Sequence, residues 1–320
     1  MTPSCTAALE VCALVLKTRG LGEVIFPSFT HVSTVLPFVQ HGFKPVFVDI
    51  QPESRCIDTS LVAEALSTET RGVVAVNYGG WSPDYELLRQ LCDANDLLLI
   101  EDNAHGMGAL RAEKPLGSFG DMAACSFERQ KNISCQEGGA LIVNNPKLQS
   151  AVQELTDLGT NKSAFLAGEA VHYQWVGSGA KLPFTEWQAA VLLPQLESLD
   201  AITSARKSAW NHYHRAFENH AVEGPANLEG SNGHVYYLKL KDQTERDAFI
   251  AYMAGQGIET PFHYYPQHLS TAGQAYGRFV GSDQYTSEAG TQLVRLPLFQ
   301  GITTELQDEV IAAVNQFFNS

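Results

Sequence analysis

The first half of the chain alternates short runs of Val, Ile, Leu and Phe with stretches of helical periodicity, and no other feature narrows its possible folds as far. Residues 23–26, 45–48, 72–77, 97–100, 122–127 and 140–144 read as strands bounded by Gly, Pro or Asp. Helical patterns at 7–16, 61–66 and 84–95 precede or separate them. Strands alternating with helices predict a mostly parallel sheet covered on both faces. In such sheets ligands sit beyond the carboxyl ends of the strands.

Residues 185–217 contain no Gly and one proline, Pro194, with Leu192, Leu193, Leu196 and Leu199 at helical spacing. They predict one or two long helices leading out of the large domain. Beyond them, 235–240 reads as a strand, 244–256 as a helix and 258–265 as a strand, together a small α+β domain. The expected division is a large domain over 1–200 and a small C-terminal domain over 201–320, and 320 residues suffice for both. There is no internal repeat or low-complexity tract.

Composition excludes several function classes. With 44% hydrophobic residues, a mean hydropathy of −0.11 and no apolar run near the ~20 residues that span a bilayer, no transmembrane segment is expected. The N-terminus lacks the pattern of a signal peptide, so a cytoplasmic setting is expected. The six cysteines are scattered without a CxxC or interleaved His, which points to reduced, packed thiols and no metal site. A net charge of −14 argues against a nucleic-acid surface but leaves room for a local positive pocket for one anionic substrate.

The chemistry-bearing stretch is 126–132, which sets Lys131 just past a predicted strand, about thirty residues after the acidic pair Glu101-Asp102 at the end of another. A lysine amine can hold a cofactor aldehyde while a buried carboxylate keeps a pyridine nitrogen protonated, so the pairing points to a pyridoxal phosphate enzyme. At the other end of the chain, Ser4 and Thr6 lie where the first helical run begins, and a helix N-terminus offers N–H groups to a phosphate. A plain helix cap would look the same.

These segments, in order, carry a family resemblance: Pro3-Ser4-Cys5-Thr6-Ala7-Ala8-Leu9, Pro27-Ser28-Phe29-Thr30, Pro45-Val46-Phe47-Val48-Asp49-Ile50, Glu101-Asp102-Asn103-Ala104-His105, Gly117-Ser118-Phe119-Gly120-Asp121 and 126–132 followed by Glu137-Gly138-Gly139-Ala140. The chain resembles the nucleotide-sugar aminotransferases of the DegT/DnrJ/EryC1/StrS type over nearly its whole length. Leu158-Gly159-Thr160-Asn161-Lys162-Ser163, Phe262-His263-Tyr264-Tyr265-Pro266 and Arg295-Leu296-Pro297-Leu298 resemble the branch that aminates dTDP-4-oxo-6-deoxy-D-glucose.

The resemblance implies an α/β, fold-type-I architecture like that of aspartate aminotransferase. It implies pyridoxal 5'-phosphate carried by Lys131, which also moves the substrate proton, with Asp102 on the pyridine nitrogen. It places Cys5, Thr6 and Ser126 at the phosphate, His105 near the phenolic oxygen and His31 stacked on the ring where relatives commonly have an aromatic. The implied reaction moves an amino group, from L-glutamate by analogy, to the 4-keto carbon of a dTDP-linked 4-keto-6-deoxyhexose for surface polysaccharide, in a homodimer with shared active sites. His263 and His268 are implied at the substrate. His234, Tyr236, Tyr237 and Tyr264 are further candidates, although Tyr236 and Tyr237 read better as strand packing.

Two departures from the family pattern stand out. Relatives carry a further N-terminal segment ahead of the phosphate-binding turn, which this sequence lacks. Relatives also place a small polar residue near position 181, in a loop that reaches the neighbouring subunit's phosphate site. Lys181 replaces it, either as a phosphate-binding point charge or as a surface loop residue, and Pro183 stiffens the loop. Two alternatives remain: a sugar dehydratase, against which Lys131 argues because that branch substitutes His there, and a non-catalytic interaction or regulatory homologue.

Overall fold

The computed structural model describes residues 1–319. Seven strands form its central sheet in the order β10-β2-β1-β3-β4-β7-β8. In chain order these are β1 (Glu23–Pro27), β2 (Lys44–Val48), β3 (Thr70–Val76), β4 (Leu98–Asn103), β7 (Met122–Ser126), β8 (Gly139–Val143) and β10 (Arg278–Phe279), with β5 (Leu110–Arg111) and β6 (Lys114–Pro115) forming a separate two-stranded ribbon. Every pairing in the sheet is parallel except that of β8 with β7.

Alternate residues of these strands enter two different cores, as a sheet buried on both faces requires. Val24, Phe26, Val74, Leu98, Ile100 and Met122 pack under α1 (Cys5–Lys17), α2 (Val32–Gln40) and α5 (Gln149–Thr156). Ile25, Val73, Ala75, Leu97 and Leu99 face α3 (Thr59–Ala65) and α4 (Tyr85–Ala94). Helix α1 is buried nearly all round, and each of its Leu and Val side chains contributes about 1.5–3 kcal/mol by leaving water.

The chain then runs through the short α6 (Lys162–Leu166) into α7 (Glu186–Glu197), which opens on a capping box between Thr185 and Gln188, and α8 (Leu199–Phe217). The stretch expected as one or two helices is two, parted at Ser198. A second core gathers α8, α9 (Gln243–Gly255) and α12 (Thr304–Phe318) around the antiparallel pair β9 (Tyr236–Lys239) and β11 (Leu293–Leu296). Helices α10 (Thr271–Tyr276) and α11 (Tyr285–Gln292) flank β10, which returns to the edge of the large sheet beside β2.

The strand expected at 258–265 does not form. Only Phe262 makes a bridge, to Val294, in a segment where Pro261 and Pro266 have no N–H to donate to a ladder. Among the described residues no helix is long and apolar enough to cross a membrane.

Candidate active site

The carboxyl ends of β4 and β7 lie side by side, with Asp102 in register with Ala124. Because neighbouring strand residues point to opposite faces, the acidic pair separates. Glu101 turns to one side, where its carboxylate accepts N–H bonds from Gly117, Phe119 and Gly120, each at 2.7 Å, in the turn before β7. Asp102 turns toward α1. There Oδ1 accepts the Ala104 N–H at 3.1 Å, and Oδ2 accepts the Thr34 hydroxyl at 2.7 Å, itself 2.7 Å from the Thr30 hydroxyl. The first acid is structural and the second is presented to a pocket.

That pocket, of about 330 Å³, is lined by Cys5, Thr6, His31, Asp102, His105, Ser126, Lys131 and His263. Eight of the ten residues singled out from the sequence thus come together. Lys131 projects from a loop after β7 that is pinned at its foot by hydrogen bonds from Phe127 N–H to Gly138 and from Cys135 N–H to Phe127, while the Lys131 N–H donates to Glu128 at 2.9 Å. Burial lowers the Lys131 pKa, opposed by the negative field of Asp102. The free amine is therefore more accessible than on a surface lysine.

At the other wall, Ser4 caps α1 by accepting the Ala7 N–H, which leaves the Cys5 and Thr6 N–H groups outside the helical ladder and beside Ser126. The side chain of Cys5 points elsewhere, its Sγ 3.5 Å from the Ala124 carbonyl and 3.9 Å from Asp102 Oδ1. Burial raises its thiol pKa, so the sulfur stays protonated. Cys5 therefore contributes its free N–H at the end of α1, while its thiol lies against Asp102.

Three imidazoles form the remaining wall. His105 lies 4.2 Å centroid to centroid from His234 and stacks at 6.2 Å on His263. The Gly79 N–H donates to His105 Nδ1 at 3.2 Å, which places the proton of the neutral ring on Nε2. Burial pushes all three far below the usual histidine range, helped by the positive field of Lys131 and of Arg295. His31 is the N-cap of α2 and meets Tyr264 edge-on at 6.1 Å.

Two of the ten lie elsewhere. Lys181 is exposed and does not line the pocket. His268 has both ring nitrogens engaged, Nδ1 with the Ser28 hydroxyl at 2.7 Å and Nε2 with Asp283 at 2.9 Å, in a bracket that ties the segment before α10 to β1. Tyr236 and Tyr237 are buried in the apolar clusters. Sequence reasoning missed Thr34, whose hydroxyl is one helical turn from Thr30, and gave Arg295 no role although it stands in the pocket wall.

Comparison with known proteins places this geometry. The family model described as the DegT/DnrJ/EryC1/StrS aminotransferase family matches residues 1–315. A dTDP-3-amino-3,4,6-trideoxy-alpha-D-glucose transaminase from Micromonospora megalomicea is 31% identical over 313 residues, covering 95% of this chain and 81% of the relative. The aminotransferase TlmJ from Streptoalloteichus hindustanus superposes with a TM-score of 0.89 at 26% identity, covering 99% of this chain and 85% of that one. A Streptococcus pneumoniae protein assigned as a sugar aminotransferase and solved in PLP, PMP and apo forms is 25% identical. Its PLP form superposes with a TM-score of 0.87, covering 99% of this chain and 86% of that one.

Proposed function

The chain belongs to the DegT/DnrJ/EryC1/StrS aminotransferase family, and from that premise we propose that its pocket holds pyridoxal phosphate and transfers an amino group to a nucleotide-linked keto sugar. The observation that carries this reading is the convergence of Lys131, Asp102 and the N-terminus of α1 on one cavity. The donor set fits the cofactor. Two N–H groups outside the helical ladder, with the Thr6 and Ser126 hydroxyls, suit a phosphate, and a carboxylate held on both oxygens suits a protonated pyridine nitrogen.

When bound, pyridoxal phosphate supplies a ring that withdraws electrons from the donor's Cα–H bond. Asp102 keeps the ring nitrogen protonated. Lys131 Nζ, whose pKa burial lowers, would hold the aldehyde carbon and would move the Cα proton as general base and acid. His105, with its proton on Nε2, would donate to a phenolate oxygen, and His31, in the pocket wall, would cover the ring.

The finer reading is a dTDP-linked 4-keto-6-deoxyhexose as acceptor, in surface polysaccharide assembly, with L-glutamate as donor. It is supported by the segment resemblances around Leu158, His263 and Arg295, and its dTDP part alone by a relative named for a dTDP-linked 3-amino sugar. The test is spectroscopic. Purified protein given pyridoxal phosphate shows a visible absorbance band that L-glutamate bleaches to the amine form and dTDP-4-keto-6-deoxyglucose restores, and Lys131→Ala shows no such band. Restoration by a 3-keto isomer alone would move the reaction to the neighbouring carbon. A wild type without the band would leave the non-catalytic alternative.

We also infer that a second copy covers the apolar face built from residues 165–193. Leu166, Val171, Trp175 and Trp187 there are 72%, 85%, 79% and 84% exposed, large apolar side chains whose cover by a partner would remove them from water. Lys181 lies in the same stretch. The expected outcome in sedimentation is a dimer for the wild type and a monomer for Trp187→Glu.

A further inference from the structure

Two cavities meet at Arg295. The smaller is the Lys131 pocket, and the larger, of about 870 Å³, opens between residues 256–261, residues 295–302 and α12. Gln130, His234 and Arg295 line both. The backbone of Arg295 is fixed, since it lies in β11 and its N–H donates to the Pro261 carbonyl at 2.9 Å. Its guanidinium is not. Nε is buried without a partner, and among the described residues no carboxylate comes within ion-pair distance of it.

Arg55 also leaves Nε and Nη1 without a partner, but it lies over the Tyr237 ring and lines neither cavity, and several other part-buried arginines find oxygen acceptors. Arg206 donates to the Gly233, His234 and Leu298 carbonyls, Arg246 to Asp247 and Gly290, and Arg89 to Asp121. A guanidinium in a cavity without such acceptors loses hydration and gains nothing from the fold. Its charge nevertheless reaches the reacting groups, since it helps to depress Lys131, His105, His234 and His263. The field therefore acts where the chemistry is read to occur, and a ligand must bring the counter-charge.

The functional reading requires an amino acid whose amine and carboxylate share one carbon. When the amine nitrogen replaces Lys131 Nζ, the carboxylate is held within two bonds of that nitrogen. A planar pair of anionic oxygens matches the guanidinium fork. We propose that Arg295 receives a carboxylate of the amino-acid donor. This rests on the functional reading above. The diphosphate of a sugar nucleotide is the competing anion, and the two half-reactions separate them.

The experiment uses cofactor-loaded wild type, Arg295→Gln and Arg295→Lys, with folding checked by circular dichroism. Calorimetry with succinate, which has two carboxylates and no amine, reads binding without turnover. Stopped-flow absorbance reads bleaching by L-glutamate and, separately, restoration by the keto-sugar nucleotide. Arg295→Gln is expected to weaken succinate binding and to lower kcat/KM for bleaching by roughly 10- to 100-fold, the worth of a charged hydrogen bond. Arg295→Lys recovers part of both, and restoration changes by less than about twofold, since its acceptor carries no carboxylate. Unchanged succinate binding and bleaching overturn the proposal. So does a loss confined to restoration, which assigns Arg295 to the diphosphate. A wild type that binds no cofactor or is not bleached removes the functional reading itself, a failure visible before any variant is compared.

Discussion

Two adjacent acids in β4 show how far residue type and spacing carry a site. Composition cannot tell Glu101 from Asp102, yet the pleat sends them to opposite faces, and the turn 117–120 satisfies the first with three backbone N–H groups. A hydrogen-bonded strand end of this kind is visible in sequence only as the pair itself. Thr34 illustrates what spacing leaves unread. It sits in α2, a helix of β-branched residues, and its hydroxyl is the sole side-chain oxygen donor to Asp102 among the described residues. Thr34→Val keeps the shape and removes that donor, so Asp102 Oδ2 loses a charge-assisted bond and part of its fixed orientation. The expected result is about tenfold weaker pyridoxal phosphate binding in an absorbance titration, with far-ultraviolet circular dichroism unchanged. Affinity within twofold of wild type would mean that the Ala104 N–H alone orients the carboxylate.

At the scale of elements, strands buried on both faces were the easiest to read, because β1 to β4 and β7 are short apolar runs between breakers. Helix α2 was not read. Its sequence VSTVLPFVQ has weak helix propensity and an internal Pro37, so it depends on the His31 cap and on burying Val35 and Phe38. The expected strand at 258–265 failed because Pro261, and Pro266 just beyond it, cannot donate to a ladder, so that only Phe262 bridges, to Val294. The α1 wall of the site, proposed to hold the phosphate, likewise depends on a contact between elements that no local pattern encodes. The N-terminus of α1 is held against β8 by reciprocal 2.9 Å hydrogen bonds between Thr2 and Gly139. A Cβ at Gly139 would lie 2.4 Å from the Ser4 carbonyl carbon and 2.6 Å from the Cys5 nitrogen, all backbone that cannot swing aside. Gly139→Ala should therefore push α1 off the sheet, costing about 1–3 kcal/mol in urea unfolding and weakening phosphate binding to the apoprotein. Gly255→Ala, at the last turn of α9 with nothing within 4 Å, is the control and should be neutral or stabilising by up to about 1 kcal/mol.

The whole molecule brings together imidazoles from distant parts of the chain. His105 follows β4, His234 precedes β9 and His263 lies in the segment that bridges to β11, and only the packing of the second core against the large sheet makes them neighbours. Sequence could nominate each histidine but not their mutual burial, which is a tertiary property. That burial has a consequence for stability. The unfolded chain takes up a proton on each histidine near pH 6.5, whereas burial holds these three neutral well below that value. Above pH 6.5 both states are neutral and the cluster carries no penalty. As pH falls through 6.5 the unfolded state binds more protons than the native one, so stability declines by up to about 1.4 kcal/mol per pH unit for each imidazole, until the native pKa is reached. His31 and His268, also lowered, act in the same direction. Glu23, Asp49 and Glu86, lowered from their ordinary values near 4, have the same sign but act only under more acid conditions, so they leave the window from pH 6.5 to 5 to the histidines. Urea unfolding of the apoprotein across that window should show a steep loss that His234→Asn reduces by about one proton's worth of slope. A flat profile would mean that the cluster accepts protons in the folded state. The wall of the pocket would then be cationic in mild acid, and the neutral donor role proposed for His105 would be confined to higher pH.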